Sequence, residues 1–542
     1  MNKSNRFLYS FIGLIVFQIV MCMEEIIGHY PKYITIFSEK LHNKLPSFPI
    51  IQISEQFYMF ISLIIIIIGD AILVFPSHAV LKLGSQDRPA AIILGSNAGL
   101  ALEPDPIDDP GSGDQPVPII LSSADLMLLD PPPDPRSRQF MEELGEIRDL
   151  QDSLTAHDKE KINNWSNISS SVRWNEIARS LVIKHQTDPP MASRVYALLS
   201  VAQYDGMTVA LKNRHHYNRS APGHYDSSIT ALAEMPGISY PAEDAVVAAA
   251  SAAVLTYLYP EEAAFLEEMV QEQEEALLMA GAYLRSDLVA GDRLGRMVAE
   301  EVIEHARSDG SDVTGNVTPP TGPGYWQGDN PLRPLWYAVT PWTAENITLF
   351  RPGPPPSYNS TEFMDALREV RNIPDTRTEE QLRVSQYWAD GSGTYTPPGH
   401  WNAIACDLIV EHKLDELESA RALAVLNIAL MDAGISCWDA KYHYWLLRPW
   451  MADPEITTPV GRPPFPSYTS GHATFSGAAS TVLSCIFPAR KDDILAMAEE
   501  AAISRLYGGI HYRFDNDKGL ESGRMIGRMA MKIVMNESCS DL

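Results

Sequence analysis

The 542-residue chain is short of cysteine, of basic charge and of strand-like alternation. Its five cysteines (Cys22, Cys406, Cys437, Cys485, Cys539) are odd in number, widely spaced and contain no C-x-x-C pair. That excludes a disulfide framework and a thiolate zinc site, and reads as buried or incidental thiols. Lysine and arginine number 42 against 69 aspartates and glutamates, a formal net charge of −27. Such a chain has no basic stripe for nucleic acid and no general attraction to anionic lipid. Any anion it binds must sit in a local basic cluster inside an acidic envelope. Phosphate-loop, dinucleotide-fingerprint, nucleophile-elbow and H-E-x-x-H patterns are all missing, which removes the common nucleotide, hydrolase and zincin readings.

Apolar content of 45% and charged content of 20% describe an ordinary globular chain. Two apolar runs, 7–23 and 57–75, make residues 1–80 a leader or membrane-anchor region, and the body is then membrane-anchored or exported. Residues 81–137 are rich in Pro, Asp and Gly (Pro104-Asp105-Pro106, Pro131-Pro132-Pro133) and read as a linker. Beyond Arg138, Ala/Leu-rich segments with apolar residues at i, i+3 and i+4 predict an all-α body.

An internal repeat divides that body. Ser239-Tyr240-Pro241-Ala242-Glu243-Asp244-Ala245 returns as Ser467-Tyr468-Thr469-Ser470-Gly471-His472-Ala473. Asp287-x3-Gly291-x3-Gly295-Arg296-Met297 returns at the same offset as Asp515-x3-Gly519-x3-Gly523-Arg524-Met525, and Lys212-x6-Arg219 pairs with Lys441-x6-Arg448. The expectation is two packed helical bundles from an internal duplication: a degenerate one at 138–310, a connecting segment at 311–400, and a catalytic one at 401–542. Ser470, His472, Arg505 and His511 stand opposite Ala242, Asp244, Leu277 and Tyr283, so only the C-terminal copy keeps reactive residues.

That copy concentrates unusual chemistry. Lys441 and Arg448, two helical turns apart, have Trp438, Tyr442, Tyr444 and Trp445 as neighbours, poor company for a solvated face. Ser470-Gly471-His472 opens an Ala-rich helix, where Ser470 can act as an N-cap and Gly471 lets backbone N–H groups approach an anion. His511 and Asp515 are i,i+4, so the carboxylate can fix the imidazole tautomer. With Arg505, this makes three cations, a hydroxyl, a glycine amide and two imidazoles. The set suits a tetrahedral oxyanion passing to five-coordination.

These residues resemble the superfamily of type 2 phosphatidic acid phosphatases (PAP2) and vanadium-dependent haloperoxidases. The family patterns K-x6-RP, SGH and SR-x5-H-x3-D stand here as Lys441…Arg448-Pro449, Ser470-Gly471-His472 and Ser504-Arg505…His511…Asp515. The stretches 463–475 and 511–515 look like the vanadium chloroperoxidase branch. The resemblance implies vanadate held by His511, with phosphate able to take the same place. Lys441, Arg448, Arg505, Ser470 and the Gly471 amide would bind the equatorial oxygens, and His472 would be the acid/base. Trp438 and Phe465 would line a halide pocket, and Asp390 would pair with Arg505. Thr469 replaces the proline usual before the serine, from which a looser turn is expected. The implied reaction oxidises halide with hydrogen peroxide to hypohalous acid. The alternative is an acid or lipid phosphatase with a phospho-His511 intermediate.

Overall fold

Helices begin where the sequence supplies side-chain caps. A computed structural model describes residues 116–121, 128–233, 236–315 and 317–536. Asp188, followed by Pro189 and Pro190, caps the 29-residue helix Pro189–Tyr217, and Asp415 with Glu418 forms a capping box for the 29-residue helix Glu416–Tyr444. These two helices pack against each other at the centre of the protein. Both end on a left-handed residue, Asn218 (φ +46°) and Trp445 (φ +54°). No β-strand occurs among the described residues, only two isolated bridges. The fold is all-α.

The two halves correspond element by element. After each central helix come a four-residue turn of helix (Pro222–Tyr225; Pro449–Ala452) and a 16-residue helix (Glu243–Leu258; Gly471–Ile486). A 17-residue helix follows (Ala263–Met279; Lys491–Tyr507), then a closing helix (Arg285–Ser308; Arg513–Ala530). The approach to the third element passes a cis peptide in both halves, Tyr240–Pro241 and Tyr468–Thr469. Polar residues of the two halves also meet across the centre. Asn402 donates to Asn175 (2.9 Å) and Asn427 to Ser200 Oγ (2.9 Å), each pair 227 positions apart.

Glycines set how closely the closing helix of each bundle packs against the 16-residue helix. A Cβ on Gly291 or Gly295 would lie 2.4 or 2.3 Å from the carbonyls of Ala242 or Val246. On Gly519 or Gly523 it would lie 2.8 or 2.1 Å from those of Ser470 or Thr474. In both bundles this brings the closing helix's first turn against the N-terminus of its partner. Ala242 N donates to Asp287 O, and Ser470 N to Asp515 O, each at 3.0 Å.

Several expectations change in detail. The apolar runs 7–23 and 57–75 lie outside the described residues. Among described residues, Glu416–Tyr444 alone is long and apolar enough to cross a membrane, and 94% of its most apolar stretch is buried in the protein. The end of the compositional linker is packed onto the body. Buried Asp205, midway along the first central helix, accepts from the amides of Ile119 (2.6 Å), Ile120 (2.9 Å) and Leu121 (3.3 Å). Asp432, its counterpart, accepts from Trp342 N (2.8 Å) and Thr343 N (2.8 Å) in the connecting segment. That segment also carries helices Thr361–Thr376 and Glu379–Tyr387. Cys406 and Cys437 are buried free thiols, but Cys485 is disulfide-bonded rather than an incidental thiol.

Candidate active site

The site forms where the last turn of the central helix, the cap of Gly471–Ile486 and the start of Arg513–Ala530 converge. Lys441 and Arg448 do not share a helical face, contrary to the expectation from their spacing. The helix ends at Tyr444, Trp445 reverses the chain in the left-handed region, and Arg448 becomes the N-cap of Pro449–Ala452. The reversal still brings both cations to one place, each 5.0 Å from the Phe465 ring centroid.

Both cations are fully buried. Lys441 Nζ donates to the carbonyls of Pro466 (3.0 Å), Ser467 (2.9 Å) and Thr469 (2.5 Å). Burial pushes its ammonium down to about 7. Only the charged form has three N–H bonds for three acceptors, so this loop favours the ammonium. Thr469 is accordingly tied rather than loosened: it is buried, its carbonyl accepts from Lys441, and its Oγ1 lies 3.3 Å from Thr474 Oγ1. Arg448 donates through Nε to Phe465 O (2.9 Å) and through Nη1 to Ile510 O (2.7 Å) and His511 Nε2 (3.0 Å). Its Nη2 is buried without a partner. Burial lowers Arg448 and Arg505 to about 10.

His511 lies just before the helix Arg513–Ala530, and Asp515 is that helix's N3 residue. Asp515 Oδ2 accepts from Tyr512 N (3.1 Å), His511 Nδ1 (2.9 Å) and Ser467 Oγ (2.5 Å). The tautomer follows from these bonds: Nδ1 carries the proton toward the carboxylate, and Nε2 presents its lone pair to the Arg448 N–H. Burial, then the charges of Arg448 and Lys441, hold His511 well below its ordinary value. Asp515 is pushed up to about 6 by burial, against the Ser467 hydrogen bond and the Lys441 charge.

Ser470 is the N-cap, its Oγ 3.5 Å from Ala473 N, and Gly471 opens the helix. A Cβ on Gly471 would come no nearer than 3.9 Å to Trp438 and 4.0 Å to Cys437 Sγ, so protein packing does not demand glycine there. His472 is the part-exposed member of the set, and its Nε2 is buried without a partner. Its ring is otherwise turned to the main chain at Ala389 and Trp388. Burial and the Arg505 charge lower it well below the ordinary value, so it is neutral at neutral pH. Arg505 donates to Ser504 Oγ (2.8 Å) and Ser385 O (2.6 Å). The rings of Trp438 and Phe465 stand 5.1 Å apart, and Trp438 Nε1 donates to Leu332 O (3.1 Å).

The structure therefore gathers Lys441, Arg448, Ser470, Gly471, His472, Arg505, His511 and Asp515, with Trp438 and Phe465 beside the two cations. Asp390 departs from expectation: its ion pair is with His400, Oδ2 to Nδ1 3.0 Å, rather than with Arg505. It still supports the Arg505 charge at longer range. His400 was not singled out from sequence; its only signal there was a histidine ten residues beyond Asp390 in an aromatic segment.

At the corresponding place in the first bundle, side chains pair with one another. Arg219 pairs with Asp287 (3.0 Å), and Tyr283 donates to Asp244 (2.8 Å) where the second bundle has His511 and His472.

Residues 421–539 match the family model "PAP2 superfamily". That match falls within the C-terminal bundle. Over 133 residues the chain is 32% identical to vanadium chloroperoxidase from Curvularia inaequalis, a match covering 19% of this chain and 22% of that protein. The solved structure of a bacterial vanadium-dependent iodoperoxidase superposes with a TM-score of 0.54 at 26% identity, covering 67% of this chain and 96% of that one. The likeness to the iodoperoxidase thus extends well beyond the residues that match the family model.

Proposed function

We propose that this protein is a vanadate-dependent haloperoxidase that oxidises halide with hydrogen peroxide, and that its two bundles arose by duplication of one unit. The choice over a PAP2 phosphatase rests on the likeness to the iodoperoxidase over 67% of this chain and 96% of that one. The residues fit an oxyanion. A buried guanidinium nitrogen (Arg448 Nη2) and a buried imidazole nitrogen (His472 Nε2) lack partners, and Gly471 leaves open the space a side chain would fill.

His511 would hold vanadate through Nε2, with Asp515 keeping the proton on Nδ1. Lys441, Arg448, Arg505, Ser470 Oγ and the Gly471 amide would hold its oxygens. Bound vanadate would supply a Lewis-acid centre that activates hydrogen peroxide toward a halide without changing oxidation state. Arg448 Nη1, which donates to His511 Nε2, would then have to release that lone pair, and its unpartnered Nη2 would be free to donate. His472, neutral and unpartnered at Nε2, takes a proton from the incoming peroxide and returns it to the leaving oxygen. Trp438 and Phe465 would form the apolar wall met by the halide. The same cradle accepts phosphate.

The test is halide oxidation and phosphate-ester hydrolysis by the full chain, before and after addition of orthovanadate. Bromide or chloride oxidation that appears only with vanadate, together with suppressed hydrolysis, is expected. Efficient hydrolysis without vanadate-dependent halide oxidation would make the protein a phosphatase.

A further inference from the structure

Behind the site lies a polar array that the proposed chemistry leaves unused. His400, on the helix Thr396–His412, is 3% exposed. Its Nδ1 is 3.0 and 3.2 Å from the two oxygens of Asp390, and its Nε2 is 3.2 Å from the Tyr387 hydroxyl. The ring is stacked on Trp388 at 4.4 Å, and Trp388 is itself anchored by Nε1 donating to Glu500 (2.9 Å). Asp390 sits at φ +43°, a backbone region that aspartate enters more readily than most residues.

Two contacts and one longer-range charge connect this turn to the oxyanion cradle. The His472 ring meets the main chain at Ala389 and Trp388. Arg505 donates to Ser385 O one turn earlier. The Asp390 carboxylate is the negative charge that supports the Arg505 guanidinium, yet its ion pair is with His400. A carboxylate released into this buried place would move onto Arg505 and compete with a bound anion for its N–H groups. His400 withholds it.

We propose that His400 is a positioning residue for the oxyanion site: by holding Asp390 it fixes the turn that seats His472 and keeps Arg505 free for the anion. The proposal rests on reading the pocket as an oxyanion site and goes beyond it by assigning a residue outside the family patterns.

Two substitutions separate this role from packing. His400→Asn keeps a donor near the Nδ1 position for Asp390 but removes the stacked ring. His400→Phe keeps the ring and its volume but removes the donor. Orthovanadate and inorganic phosphate are titrated calorimetrically into the full chain, and melting temperatures are measured alongside. His400→Phe should weaken both anions by on the order of 10- to 100-fold, the usual effect of losing a hydrogen bond behind a ligand-holding group. His400→Asn should bind within a few-fold of wild type, even if it melts lower. The opposite order, with Phe near wild type and Asn weakened, would overturn the proposal and make His400 a packing residue. Affinity losses that simply follow melting temperature would overturn it as well. A wild-type chain that binds neither anion would overturn the oxyanion reading itself, and the proposal with it, whereas the variant order tests His400 alone.

Discussion

Gly523→Ala and Gly295→Ala place one methyl group at equivalent helix crossings of the two bundles. Their contact geometry is nearly the same: the added carbon would stand 2.1 Å from Thr474 O in one case and 2.3 Å from Val246 O in the other. Ordinary contact begins at 3.4 Å. Each helix pair must therefore part by roughly an ångström, and overpacking of this kind costs about 1–3 kcal/mol. The functional consequences should differ. In the second bundle the displaced helix Arg513–Ala530 carries Asp515, whose carbonyl receives Ser470 N at 3.0 Å and whose carboxylate orients His511. Parting the helices draws the imidazole away from the Ser470–Gly471 amides. Displacement on that scale should weaken orthovanadate binding by on the order of 10- to 100-fold. In the first bundle the same step moves Asp287 relative to Arg219, away from the proposed anion site. Thermal unfolding and calorimetric titration of the full chain with orthovanadate read both effects. Equal stability losses with a selective affinity loss in Gly523→Ala are expected. An affinity loss in Gly295→Ala as large as that in Gly523→Ala, or unchanged affinity in a destabilised Gly523→Ala, would refute the reasoning.

Further expectations concern the proton inventory. Asp515→Asn can present an amide N–H to His511 Nδ1, driving the ring proton to Nε2 and removing the lone pair; orthovanadate binding should fall at least about 100-fold, and retained affinity would remove the tautomer argument. His511→Ala should abolish vanadate binding altogether. His472→Ala should keep vanadate affinity within about tenfold while cutting turnover by about 100- to 10,000-fold, as loss of an acid/base does; parallel losses in both would assign the ring a binding role instead. Asp432 is pushed up to about 6 by burial, so the folded state binds its proton more readily than the unfolded chain does. Its contribution is full below the ordinary carboxylate value and is lost as pH rises through about 6. Relative to Asp432→Asn, the wild type should lose stability to denaturant between pH 5 and pH 7, and a pH-independent difference would contradict this.

Much of the site was legible because its residues come in short segments whose internal geometry is local. Ser470 caps its helix, Gly471 opens it, and Asp515 is the N3 residue that orients His511, all within four positions in the chain. The order and lengths of the helices in the two halves correspond, but Lys212 and Lys441, paired from the K-x6-R spacing, stand 229 apart on central helices whose ends are 227 apart. Lys441 and Arg448 were correctly joined on an inadequate argument: the spacing suggested one helical face, but a left-handed Trp445 intervenes. Composition marked 81–137 as non-helical but could not show that buried Asp205 accepts three backbone amides from it. A lone acid in an otherwise apolar helix, Asp205 or Asp432, was the available signal for such a strap.

By itself, then, the amino-acid sequence determined the helices and the identity of the reactive groups, since periodicity and capping act over a few residues. Only the tertiary structure decided which buried polar atoms were satisfied and which remained open. Lys441 is saturated by three carbonyls, Asp390 is claimed by His400, and Arg448 Nη2 and His472 Nε2 are left without partners. Those outcomes depend on groups brought together from separate helices and loops, and a hydrogen bond between distant segments exists only after their packing has set the distance.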